Sequence, residues 1–171
     1  MDANINSFLN WSQSQLAEAG VLSPRLDSEI ILAHTLNLSR TDLWTQAERV
    51  LSESEIKIVK KNMERRLNRE PVSLIVGHQE FWSLDFVVNE NVLTPRPETE
   101  RVVETALNCL QSPIAKILDL GTGSGALAVA MAKEIPECKV SAIDIDSNAL
   151  SIAKENAARH GVADRIEFIC A

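Results

Sequence analysis

The chain has 171 residues, 45% of them hydrophobic, and a formal net charge of −7. This size suits one ordinary domain or two small ones, and the sequence has neither an apolar run of about 20 residues for a membrane span nor a signal-peptide pattern at its N-terminus. The acidic balance disfavours direct nucleic-acid binding, which depends mainly on Lys and Arg neutralising phosphates, so we expect a globular cytoplasmic protein without nucleic-acid or membrane partners.

The first part of the chain has the periodicity and capping signals of helices. A first helix is predicted to end near Gly20, a second to begin after Ser23 and Pro24 with Leu26 on its apolar face, and a third to span 41–47. A fourth opens with a capping box, in which Ser52 is the N-cap and Glu55 the third helical residue. Residues 1–72 are therefore predicted to form a helical bundle domain.

Basic side chains cluster on one face of the fourth helix. They are Lys57, Lys60, Lys61, Arg65, Arg66 and Arg69. The pattern is typical of a solvated helix face, and a docking face for an acidic partner is the alternative.

The pattern changes after Pro71, where two short runs rich in β-forming residues occupy 77–82 and 84–88 and are separated by Ser83 alone. They predict a β-hairpin that links two domains, with the linker spanning 73–93. Pro95 and Pro97 stiffen the next loop, and a helix is predicted over 98–110.

Strand and helix patterns then alternate. Strands are predicted over 116–120, 139–143 and 165–169, and helices over 126–135 and 149–160. This βαβαβ order predicts an α/β fold with a parallel sheet whose ligands bind at the carboxyl ends of its strands. The second domain is predicted to span 94–171.

A cofactor loop is predicted where the first parallel strand turns into its helix. Asp119 precedes three alternating glycines, Gly121, Gly123 and Gly125, and Asp144 closes the next strand, where it suits the ribose hydroxyls of an adenosine. The spacing also satisfies the pattern for NAD binding. However, Asp119 suits the cationic methionine end of S-adenosylmethionine better than a pyrophosphate, and no hydride-transfer residue is recognisable.

The cysteines predict no further site. Cys109, Cys138 and Cys170 are odd in number and lack metal-site spacing, so we expect plain thiols and no metal.

Three segments carry a resemblance to a known family. They are 71–77 (PVSLIVG) with 80–84 (EFWSL), 93–100 (LTPRPETE) and 117–125 (ILDLGTGSG). The chain resembles the bacterial release factor glutamine methyltransferases, which methylate the glutamine of a Gly-Gly-Gln motif in peptide chain release factors. Thr94 departs from the aliphatic residue usual in the second segment.

The resemblance implies a class I Rossmann-type methyltransferase domain, of which this chain holds the first half. It further implies that the N-terminal helices help to recognise the release factor and that 96–100 lie along the pocket rim. The predicted residues for S-adenosylmethionine are Asp119, Gly121, Thr122, Gly123, Ser124, Gly125, Asp144 and Arg96.

The family's substrate motif, Asn-Pro-Pro-Tyr, is expected beyond Ala171, so we name no catalytic residue. We expect this polypeptide to bind cofactor without turnover, and to self-associate through an open sheet edge although the whole protein is a monomer. Three alternatives stay open: a noncatalytic release-factor-docking module, an amino-methyltransferase acting on another substrate such as DNA adenine, and an NAD-dependent oxidoreductase.

Overall fold

The computed structural model describes residues 3–110 and 116–171. The chain divides into two compact units, Met1–Val76 and Gly77–Ala171. The first is helical and the second carries a parallel sheet with helices, which confirms the predicted fold class. The hairpin belongs to the second unit, and the proposed linker over 73–93 stays a prediction. Within the described residues, no helix is long and apolar enough to cross a membrane.

The first unit contains five helices in its described part: α1 (Ile5–Glu18), α2 (Pro24–Leu36), α3 (Arg40–Thr45), α4 (Glu53–Leu67) and α5 (Val72–Val76). Both hydrogen bonds of the predicted capping box at Ser52 are present. A second capping box, between Ser39 and Asp42, starts α3 at residue 40 instead of the predicted 41. The short helix α5 was not predicted.

The core of the first unit lies between these helices. Its largest fully buried side chains are Ile5, Leu16, Ile31, Leu32, Leu43, Val59 and Met63. The predicted apolar face of α2 is wrong at one edge, since Leu26 is 43% exposed while Asp27 and Glu29 are buried. The two carboxylates are tolerated there because each is paired with arginine.

The basic face of α4 has two parts. The prediction is wrong for Arg69, since α4 ends at Leu67 and Arg69 follows its C-cap with a φ of +70°. All three predicted arginines are used within the unit: Arg65 pairs with Glu70, Arg66 pairs with buried Asp27 at 2.7 Å, and Arg69 donates to the carbonyls of Ala19 and Gly20 after α1. The lysines Lys57, Lys60 and Lys61 are exposed. Only the lysines therefore fit the predicted solvated face.

The second unit begins with an antiparallel hairpin of β1 (His78–Phe81) and β2 (Leu84–Val87). Its turn has two residues, Trp82 and Ser83, rather than the single one predicted, and their φ angles are +53° and +57°. Two left-handed residues suit the twist of a tight hairpin although neither is glycine. The side chains of Glu80 and Glu100 stabilise the turn by accepting its backbone N–H groups at 2.7 Å.

A 3₁₀ turn at Pro97–Thr99 precedes α6 (Glu100–Cys109), so α6 begins two residues later than predicted. The βαβαβ pattern then follows as β3 (Lys116–Leu120), α7 (Ala126–Glu134), β4 (Lys139–Asp144), α8 (Ser147–Arg159) and β5 (Ile166–Cys170). These strands form a parallel sheet in the order β3-β4-β5. The pattern of the sequence places all three strands to within one residue.

Helix α7 is the centre of the second core because it is buried along most of its length. Its apolar side chains pack with Phe81 and Phe86 of the hairpin and with Val103 of α6. Strand β3 pairs only with β4 among the described strands, and Leu118 and Leu120 are 59% and 70% exposed.

Candidate cofactor site

The glycine loop, residues 121–125, lies over the carboxyl end of the sheet. The backbone N–H groups of Gly121 and Thr122 both donate to the carbonyl of Ile143 at 2.9 Å. Because Ile143 directly precedes Asp144 at the end of β4, the two hydrogen bonds hold the loop beside Asp144. The parallel register of β3 and β4 thus brings together two segments whose residues Gly123 and Asp144 are 21 positions apart in the sequence.

The three glycines have different structural roles. All have positive φ, from +54° to +79°, which favours glycine. A Cβ atom at Gly121 or Gly123 would meet nothing within 4 Å, whereas at Gly125 it would lie 3.0 Å from the Cβ of Ala153. Gly121 and Gly123 therefore leave open space above the backbone, and Gly125 allows α7 and α8 to pack closely.

Asp144 is joined to the loop directly. Its Oδ2 accepts the N–H of Gly123 at 2.9 Å, and its Oδ1 accepts the N–H of Asp146 at 3.1 Å. Each carboxylate oxygen can accept a further hydrogen bond. The arrangement fixes the orientation of the carboxylate and leaves it capacity for hydroxyl donors.

Asp119 is hydrogen-bonded to the loop as well. Its Oδ2 accepts the hydroxyl proton of Thr122 at 2.7 Å. Burial raises the pKa of Asp119, and the nearby charge of Asp144 adds to this, although hydrogen bonds from Thr122 and the Ala128 backbone oppose it. The residue also borders an apolar cavity of about 190 Å³ between α6, β3 and α7. A desolvated carboxylate of this kind favours a cationic neighbour.

Asn156 connects the loop to the hairpin, and the sequence analysis missed it. Its side chain is fully buried, accepts the N–H of Val87 at 2.8 Å, and donates to the carbonyls of Val87 and Ser124 at 3.0 and 2.9 Å. The signal in the sequence is a polar residue within the buried stripe of α8, next to Ala153 and Ala157.

The predicted site residues are therefore only partly brought together. Asp119, Asp144 and the loop from Gly121 to Gly125 form one connected cluster. Arg96 is exposed just before the 3₁₀ turn, and within the described residues its side chain has no hydrogen bond or ion pair with that cluster. Its role at the pocket rim stays a prediction.

Two family models match the chain. A PrmC N-terminal domain matches residues 7–77, and a methyltransferase domain matches residues 111–171. The release factor glutamine methyltransferase of Nitratidesulfovibrio vulgaris is 41% identical over 167 residues, which are 98% of this chain and 57% of that protein. The enzyme of the same name from Koribacter versatilis is 45% identical over 154 residues, covering 90% and 54% of the two chains.

The chain belongs to the release factor glutamine methyltransferase family. It spans a little over half the length of these relatives. A solved RNA methyltransferase from Salinibacter ruber, in complex with S-adenosyl-L-homocysteine, is 31% identical with a TM-score of 0.39, covering 47% of this chain and 50% of that one. Membership in the family therefore rests on the sequence relatives, and the fold on the structure itself.

Proposed function

We propose that the second unit binds S-adenosylmethionine at the glycine loop, for methylation of the glutamine in the Gly-Gly-Gln motif of peptide chain release factors. The observation that carries the cofactor is the pair of carboxylates, Asp119 and Asp144, which accept hydrogen bonds from Thr122 and Gly123 of an open glycine loop. The names of the relatives support the substrate.

Each carboxylate matches one part of the proposed cofactor. Asp144 would accept hydrogen bonds from the ribose hydroxyls, since its oxygens are oriented by Gly123 and Asp146. Asp119 would face the positively charged methionine end, which compensates the cost of its burial. S-adenosylmethionine supplies an electrophilic methyl group on sulfur, and the chain's own residues hold and orient it.

Proton linkage follows from Asp119. Its pKa is raised in the protein alone, and a bound cation would lower it by favouring the ionised form. Binding of a cationic ligand should therefore release protons and become tighter as the pH rises through the pKa of Asp119. A neutral ligand such as adenosine should lack this dependence.

The direct test is calorimetric titration of the chain with S-adenosylmethionine, with NAD as the control ligand. We expect binding of S-adenosylmethionine only. Asp119→Asn and Asp144→Asn should each weaken it by about tenfold or more, the effect of removing one charge-assisted hydrogen bond. Asp164→Asn, an exposed residue before β5, is the matched control. Equal binding of NAD, or equal losses in all three variants, would contradict the proposed site.

The proposed partner has a separate test. The chain, loaded with S-adenosylmethionine, should bind a bacterial peptide chain release factor in preference to an elongation factor of similar net charge. A lack of preference would contradict the release factor as partner and leave the cofactor site intact. Tight, salt-sensitive binding of DNA would instead favour an amino-methyltransferase that acts on adenine.

A further inference from the structure

The first unit has a groove between α2 and α3 that the cofactor site does not involve. Its volume is about 410 Å³, and its charged and apolar walls are Arg25, Leu26, Glu29, Arg40 and Trp44. Arg25 and Glu29 are four residues apart on α2, and Arg40 and Trp44 are four apart on α3. Each helix therefore presents two groove residues on one face.

A single buried carboxylate holds both arginines. The side chain of Glu29 is 5% exposed. Its carboxylate accepts hydrogen bonds from the Nε of Arg25 at 3.0 Å and from the Nη2 of Arg40 at 2.5 Å. Although burial raises the pKa of Glu29, its hydrogen bonds to Arg40 and Arg25 outweigh this, and the pKa lies below its usual value. Glu29 thus stays ionised and fixes two guanidinium groups in place.

The guanidinium groups remain accessible on their outer side. The side chains of Arg25 and Arg40 are 67% and 55% exposed. Within the described residues, the Nη1 atoms of both and the Nη2 of Arg25 have no hydrogen-bond acceptor. Two pre-oriented arginines with free donors are suited to carboxylate oxygens, because the loss of side-chain entropy on binding is already reduced.

An exposed indole completes the groove. Trp44 is 52% exposed, with the guanidinium carbon of Arg25 5.1 Å from its ring centroid, and Leu26 beside it is 43% exposed. Tryptophan and arginine are the residue types that dominate binding energy at protein interfaces. The groove therefore offers an apolar contact next to its cationic one.

The charges and amides around the groove favour a peptide over a nucleic acid. Glu29 is the only carboxylate along the groove and the smaller cleft beside it in the described structure, so the two arginines leave one excess positive charge. The cleft adds the amide side chains of Asn6, Asn10 and Gln13 from α1, which suit peptide backbone groups. Residues 1–70 carry 10 acidic and 9 basic side chains, so this region has no general excess of positive charge for a polyphosphate chain, and the excess of one is local to the groove.

We propose that this groove binds an acidic segment of a partner protein, with a carboxylate on Arg25 and Arg40 and an apolar side chain on Trp44. The proposal does not depend on the cofactor site, which lies in the other unit. It identifies the partner segment by its chemistry: a negatively charged residue next to an apolar one.

The test uses the whole chain and a labelled peptide of alternating Glu and Leu, followed by fluorescence anisotropy. A peptide with Gln in place of Glu measures the contribution of charge, and an oligothymidylate of equal charge represents nucleic acid. Arg25→Ala leaves Glu29 paired with Arg40, and Trp44→Ala removes an exposed ring. The matched control is Lys60→Ala, which removes one positive charge from the exposed face of α4.

We expect saturable binding of the Glu peptide that Arg25→Ala and Trp44→Ala each weaken about tenfold, as for interface hot spots, and that Lys60→Ala leaves nearly unchanged. Circular dichroism of each variant checks that its helices remain folded. The proposal is overturned if the Glu peptide does not bind, if the Gln peptide binds equally well, if Lys60→Ala weakens binding as much as Arg25→Ala, or if oligothymidylate binds more tightly.

Discussion

Replacing Asn156 with alanine should loosen the second unit and the glycine loop together. The side chain is fully buried and makes three hydrogen bonds, two with the backbone of Val87 and one with the carbonyl of Ser124. Val87 belongs to a two-stranded hairpin, and the amide of Asn156 pairs with its outward N–H and C=O groups as a neighbouring strand would. Alanine removes all three hydrogen bonds and leaves the buried carbonyl of Ser124 and the partly buried backbone groups of Val87 without this partner.

The expected loss of stability is about 3 kcal/mol, from about 1 kcal/mol for each hydrogen bond. This is a large share of the 5–15 kcal/mol, roughly, that stabilises a typical domain. Asn156→Asp should also be destabilising at neutral pH, because a carboxylate can accept from Val87 but cannot donate to either carbonyl. Protonation at low pH restores one donor, so its defect should become smaller in acid.

Hydrogen exchange in increasing urea, read from peptides that cover 84–88 and 119–126, reports on the second unit separately. The matched control is Asn148→Ala on the same helix, whose exposed side chain makes none of these bonds, with an expected change within about 0.5 kcal/mol. If these peptides exchange as slowly in Asn156→Ala as in Asn148→Ala, the hydrogen-bond argument is wrong. If stability falls while affinity for S-adenosylmethionine is unchanged, Asn156 is structural without positioning the loop.

Three further predictions follow. Asp119→Asn should raise the thermal stability of the free chain at neutral pH. Because the pKa of Asp119 is raised in the folded chain, its stabilising contribution is present in acid and is lost as the pH rises through that pKa. Melting temperatures measured over a pH series should therefore show the difference between variant and parent shrinking toward pH 3.8, the ordinary pKa of the group. Gly125→Ala should destabilise the second unit by about 1–3 kcal/mol in the same exchange assay, since the new methyl group meets the Cβ of Ala153 at 3.0 Å in a left-handed backbone. Gly161→Ala is the control, because its backbone is also left-handed but a Cβ there meets nothing within 4 Å. Leu118→Lys should reduce self-association through the exposed edge of β3. Sedimentation velocity measures the fraction of associated chains. A parent chain that stays monomeric at high concentration would contradict the predicted edge contact.

Local signals in the sequence predicted most of the second unit. The short apolar run of Ile117, Leu118 and Leu120 placed β3 at 116–120 without error, because strands of parallel sheets read as short apolar runs and this one is followed at once by turn residues. The alternating glycines and the two aspartates predicted a site at the ends of β3 and β4, where the structure joins Asp144 to Gly123. Geometry local to one strand and its loop is encoded within a few residues.

Pairings between distant elements could not be predicted in the same way. Glu29 and Asp27 are buried in α2 because arginines from other helices neutralise them. The hydrophobic pattern alone therefore predicted Leu26 on the buried face of α2, whereas the structure leaves it 43% exposed. The predicted place of Arg96 came from the family resemblance and not from any local pattern. The hairpin turn includes Trp82 in a left-handed conformation because Glu80 and Glu100 accept its backbone donors, one of them from 18 residues away.

The sequence by itself therefore determined the order of the elements, the capping of α4 and the position of the glycine loop, since each is signalled by residues that lie close together in the chain. Only the tertiary structure decided that Asn156 joins the hairpin to that loop, 69 and 32 residues away, and that Glu29 holds Arg40 beside Arg25. These contacts depend on which polar groups are left unpaired once the helices and strands have packed, and that outcome is not written in any one segment.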